Sequence, residues 1–533
     1  MRDPLTTPVG ELLEVQAARR PEQPFLSFGD GTTFSYADVA VRVAQMRGAL
    51  QTVDVRAGGR VALMLRNSLF FPVAWLGIVT HGAVAVPVNA RLGPDDAAYL
   101  LRHSGVRLLI CDDTTAAVAR VAAERCEPRP AIVEVGSAEH DPELLSDVRP
   151  AGSSLATART LAGIQYTSGT TGLPKGCLLS HGYWQRIGHV AAGFLQLRED
   201  DTILTAQPFS YIDPLWNTMA ALQAGAHLVV LDGFHPSAFM RRVADWGVTV
   251  FYCVGVMPTL LLKQPERSWD SDHSLRHVGC SAIPPGLHQA IEERWGVPWL
   301  ELFGMTETGL NIGVVPEDHD QLVASGSIGT AFAHCDVAAA DTEGAEVAPG
   351  EVGELRVRGP GLMDGYLDDA DATARFFRDG WANTGDLVTI DERGRVYFQG
   401  RLKEVTRRGG ENVSQVEVEF ALRGHEDVLD CAVAAVPDVG LGEEGKAYVV
   451  LLDGRQPDPE RLRDYLASRI AAFKVPRYWE FRAALPEPRP SGSRSTCSKL
   501  DAHGGRTVTT PVNGAGWTTE RGAEPPTICE WTS

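Results

Sequence analysis

Cysteine is scarce and nowhere paired. The nine cysteines of the 533-residue chain stand singly at 111, 126, 177, 253, 280, 335, 431, 497 and 529, and no CxxC occurs. An odd count without framework spacing excludes a disulfide scaffold and a structural zinc site, so reduced thiols in a cytoplasmic setting are expected. Basic charge is also short, with 49 Lys and Arg against 68 Asp and Glu and a net charge of −19. That balance argues against nucleic acid or an anionic membrane as partner. An anionic ligand must then be held by a compact local device working against the global field.

Long apolar runs are nearly absent. No apolar stretch follows Met1-Arg2-Asp3-Pro4, so no signal peptide is expected. Leu69–Val88 lacks Asp, Glu, Lys and Arg and has the length of a membrane span, but Pro72, Gly77, His81, Gly82 and Pro87 interrupt it. It reads as a buried helix stopped at Gly82, then a strand over Ala83–Val88, with no membrane span. What is present is the composition of a folded soluble chain, 44% hydrophobic and 22% charged.

Strand-like runs at Arg60–Leu65, Ala83–Val88, Arg107–Cys111, Thr202–Thr205, His227–Leu231 and Val248–Tyr252 alternate with helical patterns such as Asp95–Ser104 and Phe239–Trp246. Such alternation predicts an α/β fold of parallel sheets covered by helices. After about Gly326 the texture turns to short alternating strands, as in Gly353–Arg358 and Arg395–Phe398, which predicts a β-subdomain. Val413–Leu452 reads as part of a small α+β unit with a strand at Lys446–Leu452. From Ser493 onward Ser, Thr, Gly, Pro and Arg dominate, and the apolar period is lost.

The most informative segment is Tyr166-Thr-Ser-Gly-Thr-Thr-Gly-Leu-Pro-Lys-Gly176. Glycines let backbone amides converge, hydroxyls add donors and Lys175 adds charge, a combination suited to a polyphosphate. Gly169 and Gly172 are too close together for the GxxxxGK[ST] loop, and Gly176 follows the lysine. The string resembles the phosphate-binding signature of the adenylate-forming superfamily, which comprises acyl-CoA synthetases, peptide-synthetase adenylation domains and luciferases. Further motifs follow in that family's order. Leu302-Phe-Gly-Met-Thr-Glu-Thr308 resembles the adenine and magnesium motif, Asn383-Thr-Gly-Asp-Leu387 the ribose motif, and Gly400-Arg-Leu-Lys-Glu-Val405 the hinge. Arg408-Gly-Gly-Glu-Asn-Val-Ser414 is similar to the loop after the hinge in acyl-CoA ligases. Together with Pro87-Val-Asn-Ala-Arg-Leu92 it gives the texture of small-acid ligases of the crotonobetaine/carnitine type. The resemblance runs from about residue 10 to about 492.

The resemblance implies a large domain over residues 1–400, a hinge at 401–403, a small mobile α+β domain over 404–492 and an atypical tail over 493–533. Activating an acid with ATP makes one anion attack another, so the site must neutralise charge and align the reactants. By resemblance Thr167, Ser168, Thr170, Thr171 and Lys175, with Gly169 and Gly172, hold the β- and γ-phosphates. Thr306 touches the α-phosphate, Glu307 carries Mg2+, Phe303 stacks on adenine, and Asp386 and Arg401 take the ribose. Gly304 adjoins the acyl group, Lys403 is the hinge residue, and Gly409 and Gly410 line the entrance for the pantetheine of coenzyme A. The implied activity is an ATP-dependent acyl-CoA synthetase that forms acyl-AMP and transfers the acyl group to CoA.

Two departures qualify this. In Pro208-Phe-Ser-Tyr-Ile-Asp213 the pair Ser210-Tyr211 stands where the family has an aromatic followed by His. Tyr211 remains a candidate gate; Asp213 and Trp216 would suit a polar or cationic acyl group, although Asp213 could equally cap the next helix. The chain also has Arg489-Pro-Ser-Gly-Ser493 where the family closes on a catalytic lysine that binds the carboxylate and the α-phosphate. Arg494 and Lys499 are near at different spacing, and Lys474 belongs to another element. A reading-frame shift near codon 490 and a diverged tail both explain this. Ser493 therefore keeps two alternatives open beside an impaired ligase: adenylation for another acceptor (a carrier-protein thiol or an amine, including diazo-forming chemistry) and a nucleotide-binding pseudoenzyme.

Overall fold

The computed structural model describes residues 8–136, 142–145, 148–152, 156–167, 173–402, 405–408, 411–438 and 442–485. Within them the chain builds three sheets. The first sheet has a parallel half made of Thr202–Thr205, His227–Val230, Val250–Val254, His277–Ser281 and Trp299–Met305, with Pro24–Phe28 added at its edge. It continues as antiparallel strands through Gly309–Gly313, Ser327–Ala331, Val396–Arg401, Trp381–Ile390, Gly353–Arg358 and Asp336–Ala340. Antiparallel pairing begins at Gly309–Gly313, ahead of the change of texture after Gly326, and continues through it within the same sheet. The second sheet runs Lys175–Ser180, Leu161–Thr167, Val84–Pro87, Arg60–Met64, Leu108–Asp112 and Ala131–Val135, with Gly365–Tyr366 added beside Lys175–Ser180. The third is the small C-terminal unit, in which Val405–Arg408, Glu411–Ser414, Val428–Asp438, Gly442–Leu451 and Tyr478–Phe481 pair beside helix Gln415–Arg423.

The apolar run at Leu69–Val88 resolves as expected. Helix Phe70–Thr80 is buried along its whole length, and strand Val84–Pro87 follows a turn at Gly82, φ +82°. A Cβ at Gly77 would meet Met46 Cγ at 2.4 Å, so this glycine lets helix Tyr36–Thr52 pack directly on it. Trp75 meets Trp184 edge-on at 5.0 Å, and Phe71 stacks on Phe209 at 5.0 Å. These rings join helix Phe70–Thr80 to helix His181–Phe194 and to the turn after strand Thr202–Thr205, and truncating Trp75 to Ala would cost about 3–5 kcal/mol. Among the described residues no helix is long and apolar enough to cross a membrane.

Strand Gly442–Leu451 begins earlier than the expected Lys446–Leu452, because Glu443, Glu444 and Gly445 pair through the backbone with Pro437, Val436 and Ala435. Main-chain pairing of this kind leaves no apolar period to read. The large and small units meet where the Lys263 ammonium donates to the Val428 carbonyl, and burial lowers the pKa of that lysine. The described cysteines carry free thiols, all buried except the half-buried Cys335.

Candidate active site

The glycine- and threonine-rich segment lies between two paired strands. Strands Leu161–Thr167 and Lys175–Ser180 run antiparallel, with Thr167 directly opposite Lys175. Both ends of the turn are pinned to helix Pro94–Ser104. Tyr166 shares a 2.8 Å hydrogen bond with His103 Nδ1, Tyr99 donates to the Pro174 carbonyl at 3.0 Å, and the rings of Tyr99 and His103 stack at 5.4 Å. The turn residues Ser168, Gly169, Thr170, Thr171 and Gly172 lie outside the described residues.

Facing this hairpin is a second one, between strands Trp299–Met305 and Gly309–Gly313. A Cβ at Gly304 would sit 2.5 Å from the Gly309 carbonyl oxygen, so the close turn requires glycine there. Tyr183 donates to the Thr306 carbonyl at 2.9 Å, and the Glu307 carbonyl accepts from the Met363 amide at 2.9 Å. The Glu307 side chain points to the first hairpin. Its Oε1 accepts from Thr167 Oγ1 at 3.1 Å and from the Tyr366 hydroxyl at 3.1 Å. The Lys175 ammonium lies 5.0 Å from the Tyr366 ring centroid. Thr167, Lys175, Thr306 and Glu307 are therefore brought together from segments 140 residues apart in the case of Thr167 and Glu307.

A cleft of about 860 Å³ opens beside them, lined by Phe303, Gly304 and Arg401 and, from the small unit, by Glu417, Phe420 and Arg469. Arg401 donates from Nε to Asp386 Oδ1 at 2.8 Å. Glu301 lines the same cleft; burial raises its carboxyl to about 8 against the pull of the Ile283 and Ala282 amides, which donate at 3.0 and 2.6 Å. Its place two residues before Phe303 was the only sequence signal for it.

Tyr211 is 46% exposed and accepts from Asn89 Nδ2 at 3.5 Å. Tyr211 is the N-cap of helix Ile212–Ala224, so Asp213 is not the cap; it lies in the first turn. Asp213 Oδ1 accepts from Trp216 Nε1 at 3.2 Å, and burial raises its carboxyl to about 6. Trp216 meets Tyr252 edge-on at 4.9 Å, and Tyr252 donates to Ser281 Oγ at 2.7 Å. Lys403, Gly409, Gly410 and Ser493, with Arg494 and Lys499, lie outside the described residues.

His288, Glu292 and His319 converge at the edge of the cleft, with ligand atoms mutually within 4.8 Å. His288 Nδ1 accepts from the Ala324 amide at 3.2 Å, which puts the ring proton on Nε2, the nitrogen 3.2 Å from Glu292 Oε1. A cation would have to displace that proton. The trio is a hydrogen-bonded clamp between helix Pro285–Trp295 and helix His319–Leu322.

Two hairpins that oppose hydroxyls, an ammonium and a carboxylate beside a domain cleft make up the arrangement of an acid-activating, adenylate-forming enzyme. The comparisons agree. The family model for AMP-binding enzymes matches residues 13–367, and that for the AMP-binding enzyme C-terminal domain matches 417–491. A feruloyl-CoA synthase from Amycolatopsis is 35% identical over 465 residues, spanning 86% of this chain and 91% of the relative. A crotonobetaine/carnitine–CoA ligase from Salmonella paratyphi A is 32% identical over 470 residues, spanning 85% and 90%. Among solved structures, ATP-bound MatB from Rhodopseudomonas palustris superposes with a TM-score of 0.80 at 27% identity, covering 90% of this chain and 95% of that one. An o-succinylbenzoate CoA synthetase from Bacillus subtilis, in complex with its acyl-adenylate intermediate, gives 0.83 at 26%, covering 94% and 100%. The chain belongs to the AMP-binding enzyme family, within the adenylate-forming acyl-CoA synthetase superfamily.

Proposed function

We propose that this member of the superfamily activates a small carboxylic acid with ATP as acyl-AMP, releasing pyrophosphate, and passes the acyl group to the thiol of coenzyme A. The observation that carries the reading is the convergence of Thr167, Lys175, Thr306 and Glu307 from two facing hairpins. Lys175 offsets charge on the leaving pyrophosphate, and Thr306 hydrogen-bonds the α-phosphate where charge builds up. Asp386 and Arg401 receive the ribose, and Phe303 receives the adenine.

Glu307 and Thr167 offer hard oxygen donors, and two hydroxyls order the carboxylate through Oε1, a donor set that suits Mg2+ better than a softer metal. When bound, the ion neutralises phosphate oxygens. Acceptor choice follows the relatives, whose names are those of CoA ligases, and Gly409 and Gly410 are assigned to the thiol's path. The small domain swings about Lys403 between the half-reactions. Tyr211 gates the acyl site; Asp213, beside Trp216 and Tyr252, favours an acid with a polar or cationic group over a purely aromatic one. We assign the enzyme to the cytoplasm.

Pyrophosphate release measured over a panel of small acids, with and without CoA, tests the reading. CoA-dependent AMP release from one acid supports it. Turnover that needs an amine or a carrier-protein thiol instead would move the enzyme to a different acceptor. Ser493 favours a second reading, a nucleotide-binding pseudoenzyme; ATP binding with no pyrophosphate release from any acid would support that one.

A further inference from the structure

Tyr366 belongs to no motif picked out by the sequence, yet it touches both charged groups of the phosphate site. It sits on the short edge strand Gly365–Tyr366, opposite Cys177 and next to the strand that carries Lys175. Three contacts hold it. The Leu367 amide donates to the Gly176 carbonyl at 2.8 Å, the Tyr366 amide donates to Thr373 Oγ1 at 2.9 Å, and the ring meets Phe376 edge-on at 5.9 Å. From this fixed position the hydroxyl donates to Glu307 Oε1 at 3.1 Å while the ring takes the Lys175 ammonium at 5.0 Å. Among the described residues Lys175 and Glu307 form no ion pair with each other, and the tyrosine touches both.

A bare ammonium and a bare carboxylate that share one neighbour, in a partly desolvated cleft, attract each other. If they joined, each would cancel the charge that the other needs for its own task. The lysine must face phosphate oxygens, and the carboxylate must face a cation. An aromatic face draws the ammonium without consuming a carboxylate. A phenol with an ordinary pKa of about 10 stays a neutral donor at working pH. With Thr167 Oγ1 on the same oxygen at 3.1 Å, Glu307 Oε1 carries two donors, which restrict how the carboxylate can turn.

We propose that Tyr366 is a spacer and positioning residue of the phosphate site: its hydroxyl orients Glu307 toward the nucleotide-bound cation, and its ring keeps Lys175 from pairing with that carboxylate. This rests on the reading of Glu307 as the magnesium ligand, and the test separates the two.

The test is isothermal titration with α,β-methylene-ATP, which cannot release pyrophosphate, in EDTA and in excess Mg2+. The readout is the factor by which Mg2+ tightens binding. Tyr366→Phe keeps the ring and loses the donor; it lowers that factor about two- to ten-fold, the worth of one hydrogen bond, with affinity in EDTA unchanged. Tyr366→Leu loses both, so binding weakens in EDTA as well, because Lys175 now pairs with Glu307. Adding Glu307→Gln to Tyr366→Leu restores the EDTA affinity, a rescue that simple loss of packing would not allow. If Tyr366→Phe keeps the parent's magnesium factor while Glu307→Gln loses it, the orienting role is wrong. If Glu307→Gln fails to rescue Tyr366→Leu, the spacer role is wrong. If Glu307→Gln alone keeps the full magnesium factor, the metal reading of Glu307 falls, and the orienting role falls with it.

Discussion

Asp386 and Arg401 face each other across one strand pair, and the guanidinium Nε holds Asp386 Oδ1 at 2.8 Å. The aspartate side chain is 1% exposed and the arginine 42%, so the pair is a buried acceptor steered by a half-open cation. Such a carboxylate is ordered before any sugar arrives. Asp386→Ala should raise the KM for ATP by about ten-fold or more with little change in kcat, because hydrogen bonds to the ribose act mainly in ground-state binding. Equal use of 2′-deoxy-ATP and ATP by the parent enzyme would show that the ribose is bound elsewhere.

Lys175 stands opposite Thr167 at the mouth of the hairpin, and the proposed function assigns it to the leaving pyrophosphate. Lys175→Ala removes a charge that matters most as the α-phosphate bond breaks, so pyrophosphate release should fall about 10²–10³-fold. An unchanged rate in single-turnover measurements would remove the hairpin from the phosphate site.

The clamp at the cleft edge predicts a pH window for stability. Burial alone would raise Glu292, but hydrogen bonds from His288, His319 and the Trp299 amide bring it from 4.5 down to about 2. Its contribution is complete above 4.5 and is lost as pH falls toward 2. Hydrogen bonding to Glu292 raises His319 above 6.5, so its contribution is complete below 6.5 and is lost as pH rises through the raised value. Thermal unfolding followed across pH should therefore show an alkaline limb of about 1–2 kcal/mol. His319→Gln should flatten that limb, and a limb of equal size in the variant would mean that another group titrates.

Much of this was legible in the sequence, because apolar period and glycine placement act locally. Strand Gly353–Arg358 and the helix-turn-strand at Leu69–Val88 form where the patterns indicate. The glycine- and threonine-rich segment stands out by composition, whereas the antiparallel pairing of the strands on either side of it does not. The groups that orient it do not stand out either. Tyr366 reaches Glu307 from 59 residues away and Tyr183 reaches Thr306 from 123, and neither tyrosine stands out from a core aromatic by its neighbours in the chain. His288 and Glu292 carry helical spacing, but His319, the partner that completes the clamp, lies 27 residues from Glu292. Asp213 was ambiguous for a similar reason: an acidic residue at the start of a helix fits a cap equally well until Tyr211 is seen to hold that position.

The hinge assignment predicts a separation of the two half-reactions. Proline fixes φ at a residue that must change it when the small domain turns. Lys403→Pro should leave acyl-AMP formation largely intact and slow thioester formation from supplied acyl-AMP by at least about ten-fold. Equal slowing of both steps would mean that the domain does not pivot there.

Ser493 is where the chain contradicts its own motifs. A neutral hydroxyl at the lysine position leaves two approaching anions, the substrate carboxylate and the α-phosphate, without a shared cation. That contact acts mainly in the transition state of adenylation, so this step should be slower than in a lysine-bearing enzyme by about 10²-fold or more. With the small domain swinging as proposed, thioester formation would use the other orientation and should be spared. The protein should then make acyl-CoA from supplied acyl-AMP much faster than from acid and ATP, and Ser493→Lys should raise only the first step. Rapid-quench measurement of each half-reaction distinguishes the cases. Adenylation of the native acid at an ordinary rate near 10 s⁻¹ by the unmodified chain would mean that Arg494, Lys499 or no cation at all serves there. The tail after Gly492 would then be a working part of the enzyme.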